Sequence, residues 1–399
     1  MADPRVALFP YECRLPFCEE LYRYVSGGFH PEHFGDMLHD RRYRILHKLG
    51  YGSFSTVWAA RDEQEQRYVA IKIPEANAPS SLETNILTTL TASKSKQPGM
   101  AYIPKLLDEF DLVGPNGTHT CTVTDVFGAP VGKCLDNGGD LLIASAARRL
   151  QRQVLEAVEC LYQHDIVHGD VYTGNIAWKA RGLNEFTEEE FLRLFPYALT
   201  KEVKSKDGSP LPPNVPKYLV MHGYNPTQSW NEDDIMLIDF GQAFYLASPP
   251  ATLATPICYR PPEVVFHEKV DEKVDVWSAG ILCFVFLTSS LPVESIIWKE
   301  YELIDSLQRL VYHHPPARWQ KEWQIMVAKA NDPYSEDFES FQARIEAHFK
   351  EDDNGKLQDL PTEVFRRAGE LFEKVLQLDP KDRISAKQAL ELDWFKDPS

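Results

Sequence analysis

The sequence has few of the features that mark a secreted, membrane-spanning or zinc-bound protein. Its 399 residues include only seven cysteines, which are scattered, and no Cys-x-x-Cys pair is present. A sparse, odd number of cysteines in a long chain argues against a disulfide scaffold and favours a reducing compartment. The amino terminus lacks the basic-then-apolar pattern of a signal peptide. The longest apolar run, residues 279–287, is about half as long as a membrane span. We therefore expect a soluble, intracellular protein with no membrane partner.

Positive charge is also scarce. Lys and Arg number 42 against 59 Asp and Glu, which gives a net charge of −17. A chain this acidic is a poor general binder of nucleic acid, so we expect no direct nucleic-acid partner. The same charge suits a basic partner, although acidic surfaces also serve solubility alone. We expect a cytoplasmic protein, and the nucleus stays open as a second location because import signals are weak indicators. The sequence carries no signal of oligomeric state.

Patterns of apolar residues divide the chain into a strand-rich part and a helical part. From residue 43 to 73, short β-branched and aromatic runs alternate with turns, and residues 80–91 have helical spacing. A Gly-rich stretch, residues 125–139, then leads into a mostly helical remainder. Two segments read as insertions, one polar and Pro-rich at about 180–233 and one helical and charged at about 299–359.

The first chemical motif is LGYGSFSTV, residues 49–57, which lies between two predicted strands. Gly50 and Gly52 allow a hairpin backbone to approach phosphate groups without a side chain in the way. A Gly-x-Gly hairpin alone is usually only a turn.

A lysine and a glutamate follow this motif. Lys72 ends the apolar strand VAIK, and Glu83 lies on the next predicted helix. An ion pair between the two would orient the ammonium toward phosphate oxygens. Taken singly, Lys72 is equally well explained as a solvated surface charge, and Glu83 is better explained as one.

Three polar residues of the helical part complete the set. IVHGDVYTGN, residues 166–175, places Asp170 and Asn175 five positions apart in a loop. This spacing lets the carboxylate accept a hydroxyl proton while the amide oxygen binds a metal. LIDFG, residues 237–241, ends an apolar strand with Asp239, an oxygen ligand suited to Mg²⁺.

In this order and spacing, the motifs resemble those of eukaryotic protein kinases. YRPPE at residues 259–263 resembles the end of the family's activation segment, and DVWSAG at 275–280 resembles the start of its buried central helix. Arg383 matches the arginine that pairs with the Glu263 position in that family. The resemblance covers residues 43–396, which is nearly the whole chain.

The resemblance implies an α+β fold, the bilobal protein-kinase fold, with a small antiparallel β lobe plus one main helix and a larger, mostly helical lobe. It implies ATP and Mg²⁺ between the lobes. The implied boundaries are an N-terminal extension packing on the kinase (1–42), the N-lobe (43–124), the hinge and connection (125–139) and the C-lobe with both insertions (140–399).

The same resemblance assigns the site residues. The implied catalytic residues are Asp170, Lys72 and Glu83, and the implied metal ligands are Asn175 and Asp239. The implied nucleotide-binding residues are Leu49, Gly50, Tyr51, Gly52, Ser53, Val57, Ala70, Lys72, Thr124, Asp125 and Phe127. Among these, Thr124 would face the back of the adenine pocket, and the Asp125 carbonyl and Phe127 amide would pair with the adenine edge.

Residues 24–62 are similar to the opening of SR-protein-specific kinases, particularly fungal ones. Ser55 in place of the third glycine and the long spacer that puts Asp239 64 positions after Asn175 are shared with them. This resemblance implies phosphorylation of serine or threonine in basic, Arg/Ser-rich protein substrates, which an acidic enzyme would suit.

Three departures from the family pattern leave two alternatives open. Tyr172 stands where serine/threonine kinases usually have Lys, Pro256 where they have Thr, and Gly169 where they have Arg. Loss of these groups also fits a pseudokinase scaffold with residual ATP binding. A kinase of an unusual acceptor fits too, since Pro256 resembles tyrosine kinases and the HGDxxxGN pattern resembles small-molecule kinases.

Overall fold

A computed structural model of the protein gives the arrangement of most of the chain. It describes residues 5, 8–13, 15–16, 18–78, 82–132, 144–180, 182–195, 199–223, 234–293, 297–310, 314–330, 340–350 and 361–396. Outside these lie parts of the predicted helix (80–81), the predicted hinge (133–139), the first predicted insertion (181, 196–198, 224–233) and the second (311–313, 331–339, 351–359).

The regular elements fall into strands in the first part and helices in the second. The strands are β1 (Tyr11–Glu12), β2 (Met37–Leu38), β3 (Tyr43–Tyr51), β4 (Ser55–Asp62), β5 (Arg67–Pro74), β6 (Asp108–Gly114), β7 (Gly117–Asp125), β8 (Ile166–Val167), β9 (Ile176–Trp178), β10 (Thr200–Glu202), β11 (Lys204–Ser205), β12 (Tyr218–Val220), β13 (Ile235–Leu237) and β14 (Phe244–Tyr245). The helices are α1 (Glu83–Ala92), α2 (Ala144–Tyr162), α3 (Glu188–Leu192), α4 (Pro262–Val265), α5 (Lys273–Thr288), α6 (Glu300–Leu310), α7 (Gln320–Ala330), α8 (Phe341–Lys350), α9 (Thr362–Val375) and α10 (Ala386–Leu390).

The chain divides into two compact units. The strand-rich unit comprises Met1–Thr91, Pro104–Ala129 and Trp178–Asn231, and the helical unit comprises Ala92–Ile103, Pro130–Ala177 and Glu232–Ser399. Within the described residues, no helix combines the length and apolar character needed to cross a bilayer.

The strand-rich unit is built on a six-stranded antiparallel sheet in the order β2-β3-β4-β5-β7-β6. Side chains of a strand alternate between its two faces, so one face of each strand supplies apolar residues to a core. Tyr43, Trp58 and Ile71 are among the buried residues of that core. This sheet, with α1 between β5 and β6 in the chain, confirms the predicted small antiparallel lobe with one main helix.

The spacer between Asn175 and Asp239 packs on this sheet. The ring of Phe191 in α3 stacks on that of Tyr68 in β5, with centroids 3.9 Å apart and planes 4° apart. The Arg44 guanidinium pairs with Glu188 at 2.7 Å. The sequence predicts that residues 180–233 are an insertion of the helical lobe, whereas the structure groups Trp178–Asn231 with the strand-rich unit. The spacer belongs to the strand-rich unit because its buried aromatic ring packs on the sheet, although the spacer directly follows the catalytic loop in the chain.

The N-terminal extension shares a second core with the spacer. Leu21, Tyr24 and Phe29 of the extension are buried against Val203 and Leu219 of the spacer, among others. Strand β1 of the extension pairs with β11 of the spacer, and the Tyr218 hydroxyl accepts a bond from the Phe34 amide at 2.9 Å. The extension and the spacer therefore form one layer within the strand-rich unit.

The helical unit is organised around α5. All but one of its sixteen residues are buried, which confirms that the apolar run 279–287 is a core helix. Gln151 of α2 donates to the Cys283 carbonyl at 2.7 Å, which fixes α2 against α5. The Arg383 guanidinium forms a buried ion pair with Glu263 at 2.7 Å, the pairing that the family resemblance implies.

We predict that Phe191→Ala lowers the free energy of unfolding of the strand-rich unit by about 3–5 kcal/mol, because a fully buried ring and its stacking partner are lost. Urea unfolding with hydrogen exchange resolved by residue measures the change. Glu189→Ala on the same helix is the control, since its ion pair with Arg193 is exposed and should have little effect. Equal stability of both variants would contradict the packing described.

Candidate active site

In the strand-rich unit, Lys72 and Glu83 form an ion pair. The Lys72 ammonium lies 2.6 Å from Glu83 Oε2, and both side chains are partly exposed. Lys72 projects from β5, and Glu83 is the first residue of α1. The pair fixes the direction of the ammonium while leaving it accessible to a ligand.

Four of the sequence-assigned nucleotide residues lie on one face of the sheet. Val57 of β4 is the cross-strand partner of Lys72, and Thr124 of β7 is the partner of Ala70. Directly paired residues share a face, as do residues two apart in one strand. The structure thus brings together Val57, Ala70, Lys72 and Thr124.

The glycine-rich motif, residues 49–57, forms the hairpin between β3 and β4. The Gly52 amide donates to the Ser55 carbonyl at 2.8 Å, which closes the turn. A Cβ built at Gly50 would meet no atom within 4 Å. Tyr51, at the end of β3, and Ser53, in the turn, are exposed, and Leu49 is buried.

Asp125 and Phe127 follow at the end of β7. The Asp125 carbonyl, assigned from sequence to the adenine edge, accepts a bond from the Thr124 hydroxyl at 3.2 Å in this structure. Since a carbonyl oxygen has two lone pairs, this contact leaves room for a second donor.

In the helical unit, Asn175 and Asp170 are joined directly. Asn175 Nδ2 donates to both the Asp170 carbonyl at 2.9 Å and Asp170 Oδ2 at 2.8 Å. The other carboxylate oxygen, Asp170 Oδ1, is buried without a hydrogen-bond partner. A buried carboxylate oxygen without a hydrogen-bond partner destabilises the fold unless a bound ligand supplies that partner.

The loop that carries Asp170 is held from below by Asp275 of α5. The buried Asp275 carboxylate accepts the His168 amide at 2.6 Å and the Gly169 amide at 2.8 Å. The segment before Asp239 is tied to the same loop, since the Ile238 amide donates to the Asn175 carbonyl at 2.8 Å. Asp239 itself has a left-handed backbone with φ of 62° and accepts the Gly241 amide.

Negative charge is concentrated at these residues. Burial raises the pKa of Asp170 to about 6, and the nearby charge of Asp239 adds to the shift. Burial and the charges of Asp170 and Asp239 raise the pKa of Tyr172 to about 12, so its phenol stays neutral. Two carboxylates this close favour a cation between or beside them.

The donor set fits Mg²⁺. The carboxylate of Asp239 and the amide oxygen of Asn175 are the hard oxygen ligands that this ion prefers, and Mg²⁺ usually completes its shell with water and phosphate oxygens rather than protein groups alone. In the part of the chain that the structure describes, no group of three His, Cys, Asp or Glu side chains is arranged to hold a metal unaided. Asn175 and Asp239 are the side chains that would hold the ion.

The structure shows how the residues that depart from the kinase pattern are accommodated. The Thr255 hydroxyl, one position before Pro256, is buried and donates to the Gly169 carbonyl at 2.7 Å. From the sequence, Pro256 replaces the family's threonine and predicts that this partner is missing, since Thr255 is shifted by one position. In the structure it secures the catalytic loop through the backbone instead.

Tyr172 forms part of the wall beside Asp170. Its ring is close to Gly174, where an added Cβ would lie 2.4 Å from a ring carbon. The ring also packs edge-on against Tyr259 of the activation segment, with centroids 5.9 Å apart. An aromatic surface therefore occupies the position where the family usually provides a cation.

Gly169 is required by both its backbone and its surroundings. Its φ is +74°, and an added Cβ would lie 3.0 Å from the Gln242 carbonyl oxygen.

We predict that Gly169→Ala lowers the free energy of unfolding by at least the cost of a left-handed backbone, about 1–2 kcal/mol. It should also lower kcat, because the Gly169 amide and carbonyl position the catalytic loop.

The matched control is Gly208→Ala. Gly208 has a similar φ of +79°, but an added Cβ there meets nothing within 4 Å. Thermal unfolding and steady-state kinetics compare the two variants. The control should lose stability with an unchanged kcat, and an equal fall of kcat in both would contradict the assignment to Gly169.

Comparison with known proteins identifies the family of this chain. The protein kinase domain matches residues 43–215 and 225–395. The chain therefore belongs to the protein kinase family, and the predicted bilobal α+β class is confirmed.

Individual relatives show which protein kinases the chain is similar to. A serine/threonine protein kinase of Aspergillus fumigatus is 27% identical over 268 residues, which is 66% of this chain and 62% of the relative. Serine/threonine-protein kinase spk-1 of Caenorhabditis elegans is 36% identical over 161 residues, 38% of this chain and 16% of the relative. SRSF protein kinase 3 of Homo sapiens is 33% identical over 159 residues, 38% of this chain and 28% of the relative. The chain thus spans less than two thirds of the length of these relatives, and the resemblance to SR-protein kinases is confirmed.

Proposed function

We propose that this protein is an ATP-dependent serine/threonine protein kinase that acts on basic, Arg/Ser-rich protein segments. The observation that carries the proposal is the catalytic loop, where Asn175 holds Asp170 by two bonds and leaves one carboxylate oxygen unpartnered. The Lys72–Glu83 pair of the strand-rich unit supplies the phosphate-binding cation. The names of the SRSF relatives and the net charge of −17 support the basic substrate.

The chain's own residues divide the work of phosphoryl transfer. Lys72, oriented by Glu83, neutralises phosphate oxygens of the nucleotide. Asn175 and Asp239 would hold Mg²⁺, which when bound offsets the negative charge of the phosphates. Asp170 Oδ1 accepts the proton of the acceptor hydroxyl and directs its oxygen toward the terminal phosphorus. The hydroxyl oxygen bonds to that phosphorus as the bond to the nucleotide breaks.

Tyr172 affects how much positive charge lies beside the transferred phosphoryl group. Serine/threonine kinases usually place an ammonium here, whereas the neutral phenol adds no positive charge beside the transferred group. Transfer then depends more heavily on Lys72 and the metal ligands. Restoring a cation with Tyr172→Lys should raise kcat if the site is of the serine/threonine type.

The deciding experiment incubates the full chain with labelled ATP and Mg²⁺ beside Arg-Ser peptides, tyrosine peptides and amino alcohols. Preferential labelling of the Arg-Ser peptides supports the proposal. Preferential labelling of tyrosine or of an amino alcohol would replace it with the unusual-acceptor function. ATP binding with no labelled acceptor would indicate a pseudokinase scaffold.

We predict that Asp170→Asn and Asp239→Asn fail in different ways. Asp170→Asn should lower kcat about 10²–10⁴-fold, because the proton acceptor is lost, while ATP binding is retained. Asp239→Asn should weaken binding of ATP with Mg²⁺, because a charged metal ligand is lost. Calorimetric titration beside a transfer assay separates the two. Full transfer activity in Asp170→Asn would refute its role.

Salt should affect docking more than chemistry. The attraction between the acidic chain and a cationic Arg-Ser peptide acts over a Debye length of about 8–10 Å. We expect KM for this peptide to rise about tenfold between low and high salt, with little change in kcat. A neutral serine peptide, as the control, should be a poor substrate at every salt concentration. A salt-independent KM for the Arg-Ser peptide would be inconsistent with charge-guided docking.

A further inference from the structure

The glycine-rich motif, residues 49–57, is contacted from outside by the N-terminal extension and by the spacer. Phosphoryl transfer requires only that this loop cover the phosphates. The roles given above to the site residues do not account for its contacts with the extension and the spacer. These contacts occur at its base, at its tip and at Tyr51 between them.

The contact at the base is a buried ion pair. Glu19 of the extension accepts bonds from the Lys48 ammonium and from the Tyr24 hydroxyl, and all three side chains are buried. Lys48 directly precedes Leu49, the first residue of the motif. Burial lowers the pKa of the Lys48 ammonium, and the adjacent Glu19 carboxylate opposes that shift.

The contact at the tip runs through Arg23. Its guanidinium pairs with Glu75 at 2.6 Å and lies 5.5 Å from the centre of the Phe54 ring, within the range of a cation–π interaction. The Glu75 amide donates to the Phe54 carbonyl at 2.8 Å, so Glu75 holds both the arginine and the loop backbone. The guanidinium also lies over the ring of Phe29, whose centre is 4.5 Å away.

The spacer supplies the third contact. The His222 ring lies edge-on to the ring of Tyr51, with centroids 5.1 Å apart. Because the extension and the spacer share a core, these three contacts belong to one layer. A loop held at base, middle and tip loses less conformational entropy when it closes on a ligand.

We propose that the N-terminal extension is a positioning element for the nucleotide, in which Arg23 and Glu19 hold the glycine-rich loop ready for the phosphates of ATP. The inference rests on the proposed function. Arg23, Glu19 and Glu75 act through the loop and do not touch the reacting atoms, so they are positioning residues. They set the affinity for ATP rather than the rate of transfer.

The test variant is Arg23→Gln in the full chain. Loss of the cation–π interaction between Arg23 and Phe54 of the loop should raise the Kd and KM for ATP with Mg²⁺ about two- to fivefold and leave kcat at saturating ATP unchanged. Hydrogen exchange of residues 49–57 should accelerate. Glu75→Gln, which removes the same anchor from the other side, should give the same pattern. Glu19→Gln is less suitable, because it leaves a buried ammonium unpaired and endangers folding.

The matched control is Arg44→Gln. Arg44 is similarly exposed and pairs with Glu63 and with Glu188 of the spacer, but it has no contact with residues 49–57 among those described. It should change neither ATP affinity nor exchange of the loop.

Two results separate the inference from the proposed function. A wild-type chain that binds no ATP would overturn the proposed function. Wild-type ATP binding with unaltered affinity and loop exchange in Arg23→Gln would overturn the positioning role alone. Equal changes in Arg23→Gln and Arg44→Gln would also overturn it, since the effect would then be a general loss of packing.

Discussion

The carboxylate of Asp275 lies at the start of the buried helix α5 and accepts two consecutive backbone amides of the catalytic loop. Burial raises its pKa to about 7, so these two bonds stabilise a group that the interior otherwise disfavours. The left-handed backbone of Gly169 turns one of those amides inward. Asp170 directly follows these two residues, and Asn175 is bonded to Asp170, so both lie in the loop that this attachment holds.

Thr255 and Gly169 show how the same loop is secured without the residues that usually do so. An arginine at position 169 would act through its side chain, whereas here the Gly169 amide bonds Asp275 and its carbonyl bonds Thr255. Backbone groups cannot be recruited or released by phosphorylation as an arginine side chain can. The catalytic loop of this protein is therefore fixed by hydrogen bonds of its backbone to Asp275 and Thr255 rather than by an arginine side chain.

The sequence predicts those parts of the fold and site that depend on residues close together in the chain. The strands around Lys72, the loop from Asp170 to Asn175 and the core helix at 279–287 each follow from spacing within one segment. The stacking of Phe191 on Tyr68 and the bond from Thr255 to Gly169 join segments far apart in the chain. No periodicity within either segment specifies such a partner, because the match depends on the shapes that meet after folding.

The core shared by the extension and the spacer also determines when the strand-rich unit can be completed during synthesis. Leu21, Tyr24 and Phe29 leave the ribosome long before Val203 and Leu219, against which they are buried. At about 5–20 residues per second, this interval lasts on the order of ten seconds or more, during which the apolar residues of the extension lack their partners. The extension thus completes its apolar contacts only after residue 219 has been made, and a chain that stopped before residue 203 would expose this apolar surface.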